Sequence, residues 1–87
     1  PTIVFKATAN YPRVARRRGI EGYVLLEFTV NEDGSTTAPK VIEAVPNGIF
    51  DKAAIRAVKR YRYQPGQKNN KPISVAGIRS KITFKLR

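Results

Sequence analysis

The chain contains neither cysteine nor histidine. Without cysteine there can be no disulfide and no thiolate metal site. Without histidine, the commonest general base, the commonest zinc ligand and the usual pH switch are all missing. The acidic residues number only six and form no tight cluster, so no metal-ligand set is evident. No apolar run approaches the ~18–20 residues that a membrane-spanning helix needs. The glycine-rich phosphate loops G-x-x-x-x-G-K-S/T and G-x-G-x-x-G are absent, as is the nucleophile elbow G-x-S-x-G. Ser35, Ser74 and Ser80 have no histidine partner, and Ser80 and Lys81 are strand neighbours that point to opposite faces. These absences predict a protein that is not an enzyme, with no catalytic residue, no metal and no cofactor.

What the sequence has in excess is positive charge. Seventeen Lys and Arg against six acids give a net charge of +11. Such an imbalance bears on partners and solubility rather than on fold. It admits nucleic acid, anionic headgroups and acidic peptides alike. The lack of cysteine suits an oxidising compartment such as a periplasm. Eighty-seven residues make one small domain, near the lower end of what sustains a core without staples. The opening at Pro1, with no methionine and no signal peptide, reads as an excised domain with any anchor lying outside it.

Along the chain, residues 1–10 read as a flexible or short extended lead-in, with an extended piece at Ile3, Val4 and Phe5. Pro12 suits the first turn of a short helix, PRVARRR, and Gly19 its C-terminal cap. GYVLLEFTV alternates as a strand: Val24, Leu26, Phe28 and Val30 share one face, Tyr23, Leu25, Glu27 and Thr29 the other. Asp33-Gly34 turns the chain into a return strand, TTAPKVIEAV, which Pro39 assigns to a sheet edge. A second helix is expected over 49–63, with Phe50, Ala54, Ala57, Val58 and Tyr61 buried and Lys52, Arg56, Lys59 and Arg60 in solvent. QPGQKNNKP reads as a polar loop. AGIRSKITFKLR alternates again, with Ile78, Ser80, Ile82, Phe84 and Leu86 opposite Arg79, Lys81, Thr83, Lys85 and Arg87. The order (β)-α-β-β-α-β predicts an α+β fold: a three-stranded antiparallel sheet with two helices packed on one face. Phe28, Phe50, Tyr61 and Phe84 are its expected aromatic core.

One stretch, RYRYQPG at 60–66, supports two readings. Interleaved cations and rings could stack bases and grip phosphates. They could equally be the end of a helix with its rings buried and its arginines wet.

Five features in order resemble the C-terminal domain of the TonB energy-transducer family. They are Tyr11-Pro12; Gly19-Ile20-Glu21-Gly22 leading into Val24 and Phe28; Asp33-Gly34; Phe50-Asp51; and Tyr61-Arg62-Tyr63-Gln64-Pro65-Gly66. The resemblance spans 11–87, which would form one TonB-like C-terminal domain. Tyr61 stands where the family usually carries Trp; the ring is kept, and the change hints at a diverged or second-copy member. The resemblance implies a periplasmic domain of a protein anchored in the Gram-negative inner membrane. Such a domain would bind the Ton box of TonB-dependent outer-membrane transporters and pass on proton-motive-force energy for siderophore, iron or vitamin uptake. An ExbB/ExbD-type complex would be engaged through a region N-terminal to this chain.

In the strand order the resemblance implies, the C-terminal strand is an open edge, while the return strand is blunted by Pro39. The Ton box would therefore add alongside Ile78, Arg79, Ser80, Lys81, Ile82, Thr83, Phe84 and Lys85, whose cations would favour an acidic peptide. The same cations also discourage edge-to-edge pairing. A secondary receptor contact is carried over to Thr8, Ala9, Asn10 and Tyr11, with Arg13, Arg16 and Arg17 of the 13–18 run offered to an acidic rim. An open edge also allows a homodimer of the fragment. The alternative is a small basic nucleic-acid-binding domain. Against nucleic acid, Tyr23 is the only ring expected on the free sheet face, where RNA-binding sheets usually show two or three.

Overall fold

The computed structural model describes residues 1–86; Arg87, expected on the outer face of the last strand, lies outside them. The elements in chain order are β1 (Thr2–Phe5), α1 (Arg13–Arg18), β2 (Gly22–Val30), β3 (Thr36–Val45) and α2 (Asp51–Lys59). They are followed by β4 (Arg62–Gln64), β5 (Gly66–Lys68), β6 (Lys71–Ile73) and β7 (Val75–Phe84). The principal sheet is three-stranded and antiparallel, in the order β3-β2-β7. The α+β expectation therefore holds, with two small two-stranded ribbons added, β1-β4 and β5-β6.

β2 sits in the centre because its alternation gives it a fully apolar inner face. Val24, Leu26, Phe28 and Val30 are all buried, and the residues between them are half-buried. From β7 come Ile82 and Phe84, and from α2 come Ala54, Ala57 and Val58. Phe50 stacks on Phe84 with ring centroids 4.3 Å apart and planes 13° from parallel. The expected aromatic core of Phe28, Phe50, Tyr61 and Phe84 is fully assembled, each ring almost inaccessible. Burying a side chain of this size contributes roughly 1.5–3 kcal/mol, so these four anchor a domain with few residues to spare.

α1 ends in a Schellman turn. Gly19 adopts φ 69°, its N–H bonds Arg16 O, and Ile20 N–H reaches back to Ala15 O. The arginines of its last turn add cations where the helix dipole is negative.

The second helix is shorter than its periodicity predicts. It stops at Lys59; Arg60 and Tyr61 turn out of it, and Arg62 and Tyr63 continue in β4. Three groups satisfy its terminal carbonyls instead of further turns. Tyr61 N–H and the buried Thr36 hydroxyl both donate to Val58 O, and the Arg62 guanidinium donates to Lys59 O. Pro65 disfavours a helical Gln64, and β4 gains ladder partners from β1 instead, with Thr2 opposite Gln64 and Ile3 opposite Tyr63. The polar loop also contains structure, the β5-β6 hairpin. Its turn places Asn69 and Asn70 at φ 53° and 63°, a left-handed conformation that asparagine tolerates better than most residues. The last strand is likewise displaced: it begins at Val75 and ends at Phe84.

Candidate functional site

β7 forms one edge of the principal sheet and β3 the other, as the position of Pro39 predicts. The two edges differ in regularity. β3 slips register against β2 twice, between Leu25 and Leu26 and between Glu27 and Thr29, and its Ala38 sits at φ 53° just before Pro39. Irregularities of this kind disable an edge as a pairing template. β7 pairs with β2 without a slip from Ile78 opposite Phe28 to Phe84 opposite Gly22. Along that run alternate residues direct N–H and C=O away from β2, and among the described residues no strand pairs with that side.

The start of β2 depends on a close approach. A Cβ on Gly22 would lie 1.9 Å from the Val45 carbonyl oxygen, so only glycine permits β3 to close over this point. That gives a physical reason for the second glycine of Gly19-Ile20-Glu21-Gly22.

The side chains expected at the edge divide between two environments. Ile82 and Phe84 are buried, and Ile78 and Ser80 are half-buried toward the helices. Arg79, Lys81 and Thr83 stand on the uncovered sheet face, and Lys85 is exposed just past the strand. Two of these cations already have partners. Arg79 Nε meets Glu27 Oε2 at 3.0 Å, and Lys81 Nζ lies 4.3 Å from the centroid of the Tyr23 ring. The Tyr23 hydroxyl donates to Glu43 Oε1 at 2.7 Å; that bond, then partial desolvation and the Glu43 charge, raise the phenol above its ordinary pKa. Cross-strand register creates this network, since Leu25 faces Lys81 on one side and Glu43 on the other. The cations are legible in the sequence, but their partners follow only from the register of all three strands.

The secondary set gathers at the entry to α1. Tyr11 sets its ring edge-on against Phe50 and Phe84, with centroids 5.5 and 5.8 Å apart, and its hydroxyl donates to Ile20 O. Desolvation, and then the charge of Glu21, raise its pKa, while Arg16 opposes them. Arg16 lies over the same ring at 5.0 Å from its centroid. Thr8 is exposed, with its carbonyl accepting from Arg60 Nη2 at 2.9 Å; Ala9 is half-buried and Asn10 exposed. Arg13 and Arg17 are exposed. The structure thus brings Tyr11 and Arg16 together but keeps this cluster apart from the β7 edge strand, except where Tyr11 meets Phe84.

The RYRY stretch has its rings turned inward. Tyr61 is 1% exposed, and Tyr63 is half-buried, 5.8 Å from Phe28. Burial raises the pKa of both phenols. Lys81 lies over Tyr23, the ring on the uncovered sheet face, so a base would have to displace it to stack there. No helix among the described residues is long and apolar enough to cross a membrane.

The family model of the Gram-negative bacterial TonB protein C-terminal region matches residues 7–86. Protein TonB of Escherichia coli K12 is 34% identical over 86 residues, covering 99% of this chain and 34% of that protein. Protein TonB of Pseudomonas aeruginosa is 42% identical over 55 residues, covering 63% of this chain and 16% of that protein. The chain therefore spans between 16% and 34% of these relatives' lengths. The solution NMR structure of the P. aeruginosa TonB C-terminal domain superposes with a TM-score of 0.81 at 30% identity, covering 98% of this chain and 85% of that one. The TonB2 structure from Vibrio anguillarum gives 0.72 at 31% identity, covering 100% and 82%. On sequence and fold together, the chain belongs to the TonB C-terminal domain family.

Proposed function

We propose that this chain is the receptor-binding domain of a TonB-type energy transducer, working in the periplasm as part of a protein anchored in the inner membrane. It takes the Ton box of a TonB-dependent outer-membrane transporter as an added strand along β7. The force that the transducer draws from an ExbB/ExbD-type complex then reaches the transporter through that strand, in service of siderophore, iron or vitamin uptake. The domain is a non-catalytic adaptor. One observation carries the reading: β7 is regular and unpaired on its outer side from Ile78 to Phe84, whereas β3 is broken by two register slips. Main-chain hydrogen bonds supply affinity in such additions, and pockets for alternate side chains supply selectivity. With Arg79 already paired to Glu27, backbone pairing contributes more to this contact than edge charge.

Titrating the isotope-labelled domain with a synthetic Ton-box peptide tests this reading. Backbone amides from Ile78 to Phe84 should shift most, and those of the 13–18 run little. A silent peptide, together with strong perturbation of Arg13, Arg16 and Arg17 by DNA or RNA oligomers at moderate salt, would overturn it.

A further inference from the structure

Strand addition leaves unused a groove between α2 and the segment that leads into α1. Its volume is about 270 Å³. Tyr11, Ile49 and Ala53 supply its apolar lining, and Lys52, Arg56 and Arg60 its cationic lining. We propose that this groove is a second peptide site, which takes an acidic segment of a partner protein with carboxylates on alternate residues and an aliphatic residue between them.

Three observations point to that occupant. The first is unmatched charge: among the described residues none of the three cations has an ion-pair partner. The acids nearby are already engaged. Asp51 accepts from the Gly48 N–H at 2.9 Å, and Glu21 from the Leu86 N–H at 2.6 Å.

The second is spacing. Lys52 and Arg56 lie one helical turn apart, about 6 Å of rise, and Arg60 follows four residues later at the helix end. An extended peptide repeats its same-side side chains every ~6.6–6.8 Å. An acid–aliphatic–acid–aliphatic–acid segment therefore keeps pace with the row of cations.

The third is a preformed wall. Tyr11 is fixed by its hydroxyl bond to Ile20 O and by edge contacts to Phe50 and Phe84, and Arg60 is oriented by its bond to Thr8 O. Binding at such a site orders little that is not already ordered.

The same features disfavour other anions. Arg16 lies over the Tyr11 ring, so a base would have to displace it to stack on that face. Ile49 is the only large exposed apolar side chain of the lining, too little to insert into a bilayer.

The probe is a blocked pentapeptide, acetyl-Asp-Leu-Asp-Leu-Asp-amide, titrated into the labelled domain. Saturable shifts are expected at the amides of Tyr11, Lys52, Ala53 and Arg56. The Lys52→Glu/Arg56→Glu variant alters only exposed helix positions, and its fold is checked by circular dichroism; it should bind about tenfold more weakly or worse. The Asn-Leu-Asn-Leu-Asn counterpart should produce no comparable shifts. The proposal is overturned if shifts fall only on Ile78–Phe84, or if the double variant or the asparagine peptide binds as tightly. Perturbation of the same amides by phosphatidylglycerol vesicles or a thymidine oligomer at lower concentration than the peptide would overturn it too. Groove and edge report through separate residues, so this proposal and the strand-addition reading can fail independently.

Discussion

Gly34 shows how a turn signal can conceal a tertiary requirement. Its φ of 86° is what an Asp-Gly turn demands, but a second demand comes from β4. A Cβ there would lie 2.2 Å from the Tyr63 carbonyl oxygen, and Tyr63 N–H donates to Gly34 O at 2.9 Å. Gly34→Ala therefore adds left-handed strain to a backbone collision, and urea unfolding should show a loss of about 2–4 kcal/mol. A loss within experimental error would mean that β4 does not press on this turn. The turn has its own support, with Asp33 accepting from both the hydroxyl and the N–H of Ser35. Those two bonds hold the Asp33 carboxyl below its ordinary pKa. The sequence marks Gly34 as a turn residue; its contact with Tyr63, 29 positions later, appears only in the fold.

Among the elements, β2 and β7 were the most legible, because strict alternation of apolar and polar residues leaves one backbone conformation that buries one face. α2 was legible in its apolar stripe but not in its length. Tyr61 falls on the helical stripe at i+11 from Phe50, so a buried ring there satisfies the period whether or not the backbone is still helical. The exit is decided by Pro65 and by the pairing of β4 with a strand some sixty residues earlier, which no local window registers. For the same reason the groove beside α2 was invisible, since it joins Tyr11 to a helix about forty residues away. Successive residues of a strand send their N–H groups to opposite sides. Of the variants Ile82→Pro and Thr83→Pro, one deletes an outward donor and the other a bond to β2. Isothermal titration with a Ton-box peptide should show binding lost in the outward variant. If both variants fold and both bind like the parent, β7 is not the docking edge.

On the scale of the whole molecule, charge is the dominant unbalanced quantity. A net +11 is carried on a body only 51 × 20 × 15 Å in extent, with a single salt bridge, Arg79 to Glu27, among the described residues. Self-repulsion then outweighs surface attraction, and added salt screens mainly the repulsion. Thermal unfolding should accordingly move up by a few degrees as ionic strength rises from about 10 mM to about 150 mM. A falling Tm would mean that more attractive pairs form in solution than this one. The elongated body also separates its parts by strength. β1 lies in a two-stranded ribbon with Ile3, Val4 and Phe5 at 42%, 69% and 56% exposure, so little burial secures it. When the N-terminal end is drawn away, β1 peels from β4 before β2 or the aromatic core is disturbed. The four residues released form a tether about 13 Å long that is free to swing into line with the pull. A pull from that side meets a short compliant leader first and the rigid sandwich afterwards, so the domain takes up tension in two stages.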